Sequence, residues 1–213
     1  MRSPWTRRSL LALAAALALS KPAHSQEISF DEGVDRLTRT VRHTTNILSR
    51  IVARAAALTR PTDPQLLAGM RNDVRRVRDA LGRLLRTQST LFDHIDMYLD
   101  YARSPGATAE EARARWVTLN SQFSAVFIRV GTIADELRAT RYLDDATDSD
   151  FVGDLQLVLQ QRMGILAQLR QMDPPRTQSE LASLERLADA YRVLHAQLRE
   201  AVRELERTEA RLI

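Results

Sequence analysis

The sequence predicts an all-α protein, an elongated antiparallel up-down bundle of four to five long helices with coiled-coil-like packing. The first basis is composition: aromatic residues make up 5% of the chain, and Gly and Pro number seven each. Ala, Leu, Arg, Glu and Gln, which lose little conformational freedom in a helix, are abundant instead. The second basis is periodicity, because apolar residues recur at a 3-4-3-4 spacing through nearly every segment after the N-terminal one.

The first two predicted helices are separated by a proline-rich turn. Helix one covers about 29–59, and helix two, at about 64–102, begins with Asp63 as N-cap and Pro64 as its first residue. At 1.5 Å per residue helix two is about 58 Å long. The predicted core positions of these helices are Phe30, Val34, Leu37, Val41, Thr44, Leu48, Ile51, Ala55 and Leu58, and then Leu67, Met70, Val74, Val77, Leu81, Leu84, Gln88, Leu91, Ile95 and Tyr98.

Three further helices are expected. The sequence 108–111 is a capping box, in which Thr108 and Glu111 would satisfy free amides at the start of helix three, which runs to about Arg141. An acidic loop at 144–148 leads to helix four at about 149–172, and helix five fills about 178–212. Their core positions are Ala112, Trp116, Leu119, Phe123, Val126, Val130, Ile133 and Leu137, then Val152, Leu155, Leu159, Met163, Leu166 and Leu169, then Leu181, Leu184, Ala188, Tyr191, His195, Leu198, Val202, Leu205 and Leu212.

The short connections predict that consecutive helices are antiparallel neighbours. This places Val41 opposite Leu84 and Ile95 opposite Trp116, and it brings the 1–2 and 3–4 turns to the same end of the bundle. Helix four is shorter and less regular than the others, with Arg162 close to its apolar stripe. Whether four or five helices share one core is therefore open.

Residues 1–25 have the pattern of a cleaved signal peptide. Basic Arg2, Arg7 and Arg8 precede an apolar stretch at 10–19, which is too short to span a bilayer, and cleavage is expected before Gln26. The segment 6–11 resembles a twin-arginine export signal, with the ordinary secretory route as the alternative. The mature chain, residues 26–213, is then a single helical domain in the bacterial periplasm, or a secreted one.

The basic net charge of +4 belongs to this N-terminal segment. Four of the 31 basic residues and none of the 27 acidic ones lie in residues 1–25, which leaves a formally neutral mature chain. A neutral domain lacks the surplus of cations that non-specific phosphate binding requires, so no nucleic-acid partner is expected. No cysteine is present for disulfides or lipid attachment, and no later apolar stretch could span a membrane.

Each end of the bundle offers a candidate interaction surface. At the charged end, Arg71, Arg75 and Arg78 lie beside the acidic 3–4 turn, as intramolecular complementarity or as a docking surface. At the other end, a second apolar stripe on helix two is either where the extra helix packs or an exposed patch for self-association or a partner. Its residues are Leu85, Phe92 and Leu99, with Tyr101 nearby.

Enzyme and cofactor motifs are not found. The chain has no cysteine nucleophile, no Gly-x-Ser-x-Gly turn, no Glu-x-x-His pair and no Cys-x-x-Cys-His, so no enzyme activity and no cofactor are expected. His195 is interpreted as a half-buried histidine with a local partner rather than a haem ligand. One metal hypothesis remains, in which His94, Met97 and Met163 bind Cu(I), since imidazole and thioethers suit that ion.

The sequence thus predicts a non-enzymatic envelope protein that acts through protein–protein interaction as a scaffold, adaptor or chaperone-like component. The expected partner is another envelope protein or a second copy of the chain. The alternative is a bundle that binds a small ligand or copper, or a soluble sensor module. That alternative would need a cavity near the polar or small core positions Thr44, Gln88 and Ala188.

Overall fold

The computed structural model describes residues 29–138, 140–143 and 151–213. The predicted signal peptide and the acidic loop lie outside these residues. The described residues form five long helices packed on one another, without strands, and none of these helices is long and apolar enough to cross a membrane. The helices are α1 (Phe30–Ala57), α2 (Pro64–Ala102), α3 (Ala109–Leu137), α4 (Phe151–Leu169) and α5 (Gln178–Arg211).

The helix starts follow local capping rules, with one correction. Asp63 caps α2 by accepting the Gln65 N–H at 2.8 Å, as predicted. Thr108 caps α3 by accepting the Glu111 N–H at 3.2 Å, but the reciprocal half of the predicted capping box is wrong. The Thr108 N–H instead donates to the hydroxyl of Tyr101, which in turn donates to the carboxylate of Glu111. A contact with Tyr101 at the end of α2 has thus replaced the contact within the capping box.

A complete capping box occurs at the start of α5. The Thr177 hydroxyl accepts the Glu180 N–H at 3.1 Å, and the Glu180 carboxylate accepts the Thr177 N–H at 2.9 Å. This pair satisfies two amides that would otherwise lack partners at the helix start.

The five helices form a closed ring around one core. α5 packs between α1 and α2, α2 packs on α3, α3 on α4, and α4 on α1. The predicted facing of α1 and α2, with Val41 opposite Leu84, is therefore wrong. A short connection fixes the relative direction of two helices but not their adjacency, and the broad apolar face of α5, which includes Leu187 and Leu194, fills the space between them.

Hydrogen bonds between helices define their directions. Asp31 near the start of α1 accepts from Ser179 near the start of α5, and the Ala55 carbonyl near the end of α1 accepts from Thr208 near the end of α5, so these two helices are parallel. The other four neighbouring pairs are antiparallel, as in Trp116 of α3 donating to the Met172 carbonyl after α4. A ring with an odd number of alternating helices requires one such parallel pair.

All five helices contribute to a single core, which settles the question of four or five. The expected core positions are buried except for six that are partly exposed: Phe30, Leu67, Ala112, Met163, His195 and Val202. The 1–2 and 3–4 turns do share one end, because Asp154 at the start of α4 binds Arg54 at 2.6 Å near the end of α1.

Candidate functional site

One charged side chain, Arg162 of α4, crosses the centre of the ring. It is 1% exposed and is the largest fully buried side chain among the described residues. Its Nη1 donates to Oε1 of Gln88 on α2 at 2.6 Å, and Nε2 of Gln88 donates to the main-chain oxygen of Tyr191 on α5 at 3.3 Å. We call Arg162, Gln88, Tyr191 and the adjacent His195 the central cluster.

No carboxylate in the described part of the chain forms an ion pair with Arg162. Its Nε and the hydroxyl of Tyr191 are both buried without a hydrogen-bond partner among the described atoms. A buried charge without a counter-charge costs several kcal/mol. Burial accordingly lowers the pKa of Arg162, although a guanidinium starts so far above neutrality that it stays protonated.

Tyr191 and His195 lie four residues apart on the same face of α5, and each has a hydrogen-bond donor: the hydroxyl of Tyr191 and a ring N–H of His195. Burial raises the pKa of Tyr191 to about 12 against the opposing effect of the Arg162 charge, so its hydroxyl is protonated at neutral pH. Burial, followed by Arg199 and Arg162, lowers the pKa of His195. Nε2 of His195 lies 3.2 Å from Nη2 of Arg199, which can only donate, so the ring proton resides on Nδ1.

The interpretation of His195 as a half-buried histidine with a local partner is confirmed by this Arg199 contact. Its Nδ1 is buried and has no hydrogen-bond partner among the described atoms. Arg162 Nε, the Tyr191 hydroxyl and His195 Nδ1 are thus three donors without acceptors in the central cluster. The ring of Phe92 packs edge-on against both Tyr191 and His195, with centroids 6.1 and 5.4 Å apart.

The predicted apolar stripe on helix two is mostly covered. Phe92 lies against α5, Leu85 is partly buried on the core, and Leu99 is only 4% exposed, so Leu99 as a surface residue is wrong. Tyr101 holds the start of α3 through the bonds given above, with the Arg115 guanidinium 4.1 Å over its ring. The stripe is where the extra helix packs, because α5 fills the gap between α1 and α2.

The predicted charged end is largely paired within the chain. Glu209 of α5 binds Arg75 at 2.9 Å and also binds Arg78, which in addition contacts Asp79 at 2.8 Å. Arg71 is partly buried, and its Nε has no hydrogen-bond partner among the described atoms. For Arg75 and Arg78 the intramolecular alternative therefore holds, with α5 rather than the 3–4 turn supplying the acid.

The three residues of the copper hypothesis lie at different levels. The Arg162–Gln88 bond sets Met163 level with Gln88, while His94 and Met97 follow about 9 and 14 Å further along α2. Met97 is 57% exposed, whereas Met163 is partly buried against the core. The structure does not bring the three together, and among the described residues no group of three or more His, Asp or Glu could hold a metal ion. The copper site stays a prediction, to be tested by titration with His94→Ala as control.

The face of α3 opposite the core carries a second periodic pattern. Residues with 3-4 spacing along it are exposed and uncharged, and we call them the α3 outer stripe: Ala114, Thr118, Ser121, Ala125, Ile128 and Thr132, with Val117 beside them. Ile128 and Val117 are 67% and 60% exposed, among the most exposed large apolar side chains described. The hydroxyls of Thr118, Ser121 and Thr132 donate to carbonyls of their own helix at 3.2 Å.

Sequence reasoning missed this stripe, although a signal was available. Residues 116–128 include no charged side chain, in a chain in which 27% of residues are charged, and the 3-4 spacing runs along both faces of the helix. Only the spacing of the core-facing residues was interpreted, because periodicity identifies the faces of a helix without showing how many of them are covered.

No protein-family model, curated protein or solved structure matches this chain. The fold therefore defines the class, an all-α bundle of five helices, and the function rests on the two features described: the central cluster and the α3 outer stripe.

Proposed function

We propose that this chain is an exported, non-enzymatic protein of the bacterial periplasm that acts through protein–protein interaction as a scaffold, adaptor or chaperone-like component. The observation that carries the proposal is the α3 outer stripe, an exposed face with the spacing of a packed helix. The partner that we propose for this face is a second copy of the chain.

The residue types of the stripe keep the free-energy cost of burying it low. Interface cores are depleted in charged residues, and no residue of the stripe is charged, with exposed Arg129 at its edge. Because the hydroxyls of Thr118, Ser121 and Thr132 already donate within α3, covering them leaves no new donor without an acceptor. The small side chains would let a second helix approach closely.

The stripe is also self-complementary in an antiparallel pairing. A two-fold axis near Ala125 places Thr132 opposite Thr118 and Ile128 against Ser121 and Gln122 of the second copy, so that the large apolar side chain of the contact meets smaller or polar ones. On one flank, Arg113 then lies within two residues of the level of Asp135 of the second copy, and Glu110 within two residues of the level of Arg138 of the second copy, distances that these long side chains can span. Opposite charges at both ends favour this pairing over other registers.

Export is supported by the pattern of residues 1–25, with a basic segment, a short apolar stretch and small residues before Gln26. When the full chain is expressed in a Gram-negative host, the periplasmic fraction should contain a protein that begins at Gln26. Recovery of only the uncleaved chain in the cytoplasm would overturn the export part of the proposal.

Sedimentation equilibrium of the purified protein tests the interaction. The wild type should form a dimer, and Ile128→Arg should weaken it by at least about tenfold, because the arginine would be buried against Ser121 without a partner. The matched control is Val193→Arg on α5, where the side chain is 61% exposed and outside the stripe. A wild-type monomer, or equal weakening by both variants, would contradict self-association through α3.

The charges on the flank of the stripe allow a second test, which concerns the antiparallel register. Arg113→Glu should weaken the dimer, and adding Asp135→Arg in the same chain should restore it, since the swapped pair attracts again. Failure of the double variant to recover would exclude the antiparallel register even if a dimer forms.

Small-ligand binding is a second candidate function, which the central cluster specifically favours. Its unpartnered donors belong to residues beside Gln88, which bonds to both Arg162 and Tyr191. Gln88 is one of the polar or small core positions near which the sequence analysis expected a ligand-binding cavity.

A further inference from the structure

The central cluster has donors in excess of acceptors. Arg162 brings a positive charge, and Tyr191 and His195 each add a donor without a hydrogen-bond partner among the described atoms. Gln88 is not the acceptor for these groups: its oxygen accepts from Arg162 Nη1, its nitrogen donates to the Tyr191 carbonyl, and none of the three donors bonds to it. The side chain of Gln88 is thereby fixed in orientation.

We propose that the central cluster binds one compact monovalent anion, of the size of a halide or a formate, between α4 and α5. Arg162 supplies the charge, and the Tyr191 hydroxyl and His195 Nδ1–H supply further hydrogen bonds. This site is separate from the α3 outer stripe, which lies on the opposite face of its helix from the core.

The chemistry of the ligand follows from charge and room. An acceptor with a negative charge offsets the guanidinium, which a water molecule would not do. Arg162 and Tyr191 are each only 1% exposed, so the site accommodates only a small group. A halide also accepts hydrogen bonds from any direction, which suits three donors on two helices.

Thermal unfolding at constant ionic strength tests the proposal. Replacing sodium gluconate, whose anion is too bulky for the core, with sodium chloride, bromide or formate should raise Tm in a saturable manner, because a ligand that binds only the native state stabilises it. Tyr191→Phe keeps the ring and removes one donor, and it should lower the apparent anion affinity about tenfold.

Arg162→Met removes the charge with little change in volume and should abolish the anion dependence. Arg78→Met is the matched control, because it removes an arginine of α2 outside the cluster. If Arg162→Met does not fold, the Tyr191→Phe shift still decides the outcome. A wild-type Tm that is the same in gluconate and chloride, or an anion dependence unchanged by Tyr191→Phe, would overturn the proposal.

Bromide also allows a direct observation. Crystals grown in sodium bromide should show an anomalous peak within hydrogen-bonding distance of Arg162 Nε and Tyr191 Oη. Bromide peaks confined to the protein surface would overturn the proposal.

Discussion

Tyr98 and Tyr191 are core tyrosines with buried hydroxyls that have no hydrogen-bond partner among the described atoms. Burial raises the pKa of each to about 12 from the ordinary value of 10. The apolar spacing placed both at core positions. It could not show that their hydroxyls lack acceptors, because that depends on which residues neighbouring helices place beside them.

These tyrosines predict an alkaline loss of stability. Between pH 10 and 12 the unfolded chain releases the two phenolic protons and the native chain retains them, so stability is fully present below pH 10 and falls as pH rises toward 12. Each tyrosine contributes a slope of up to about 1.4 kcal/mol per pH unit. Urea unfolding followed by circular dichroism at several pH values measures it.

The control is the double variant Tyr98→Phe with Tyr191→Phe. It should flatten the alkaline decline while leaving the fold intact, because neither hydroxyl bonds to another described atom of the protein. An equally steep decline in the double variant would contradict this assignment.

At the scale of the helix, two glycines of α2 have opposite surroundings. A Cβ at Gly69 would lie 2.6 Å from the Tyr142 ring, whereas a Cβ at Gly82 would meet only the end of Arg86 at 3.9 Å. Gly82→Ala should therefore raise the free energy of unfolding by about 0.5–1 kcal/mol, the gain in helix propensity. Gly69→Ala should instead lower the free energy of unfolding, because the new methyl group would force the Tyr142 ring to move and this cost exceeds the gain in helix propensity.

Denaturant unfolding of the two variants measures this contrast. Equal stabilisation by both would show that Tyr142 does not pack on Gly69.

Helix bounds were predictable where a local signal exists. Asp63 and Pro64 fixed the start of α2 to the residue. α3 instead ends at Leu137, before the expected Arg141. The carboxylate of Asp73 on α2 accepts the N–H groups of Arg141 and Tyr142 at 2.8 and 2.7 Å, so these two amides do not continue the hydrogen bonding of α3. A contact between residues so distant along the chain leaves no mark on the local spacing.

At the scale of the molecule, the sequence predicted the class and the alternation of helix directions but not the order around the ring. The position of α5 between α1 and α2 depends on the width of three apolar faces together, which pairwise reasoning about consecutive helices does not capture. The same shift in order explains why the predicted apolar surface on α2 is covered.

The central claim, contact between two copies through α3, can be tested by cross-linking because the chain has no cysteine. Ala125→Cys introduces a single exposed thiol at the proposed two-fold axis, where the two sulfur atoms should come within disulfide distance. Mild oxidation should give a covalent dimer of Ala125→Cys much faster than of Val193→Cys, which is exposed on α5. Equally slow cross-linking of the two variants would contradict the claim.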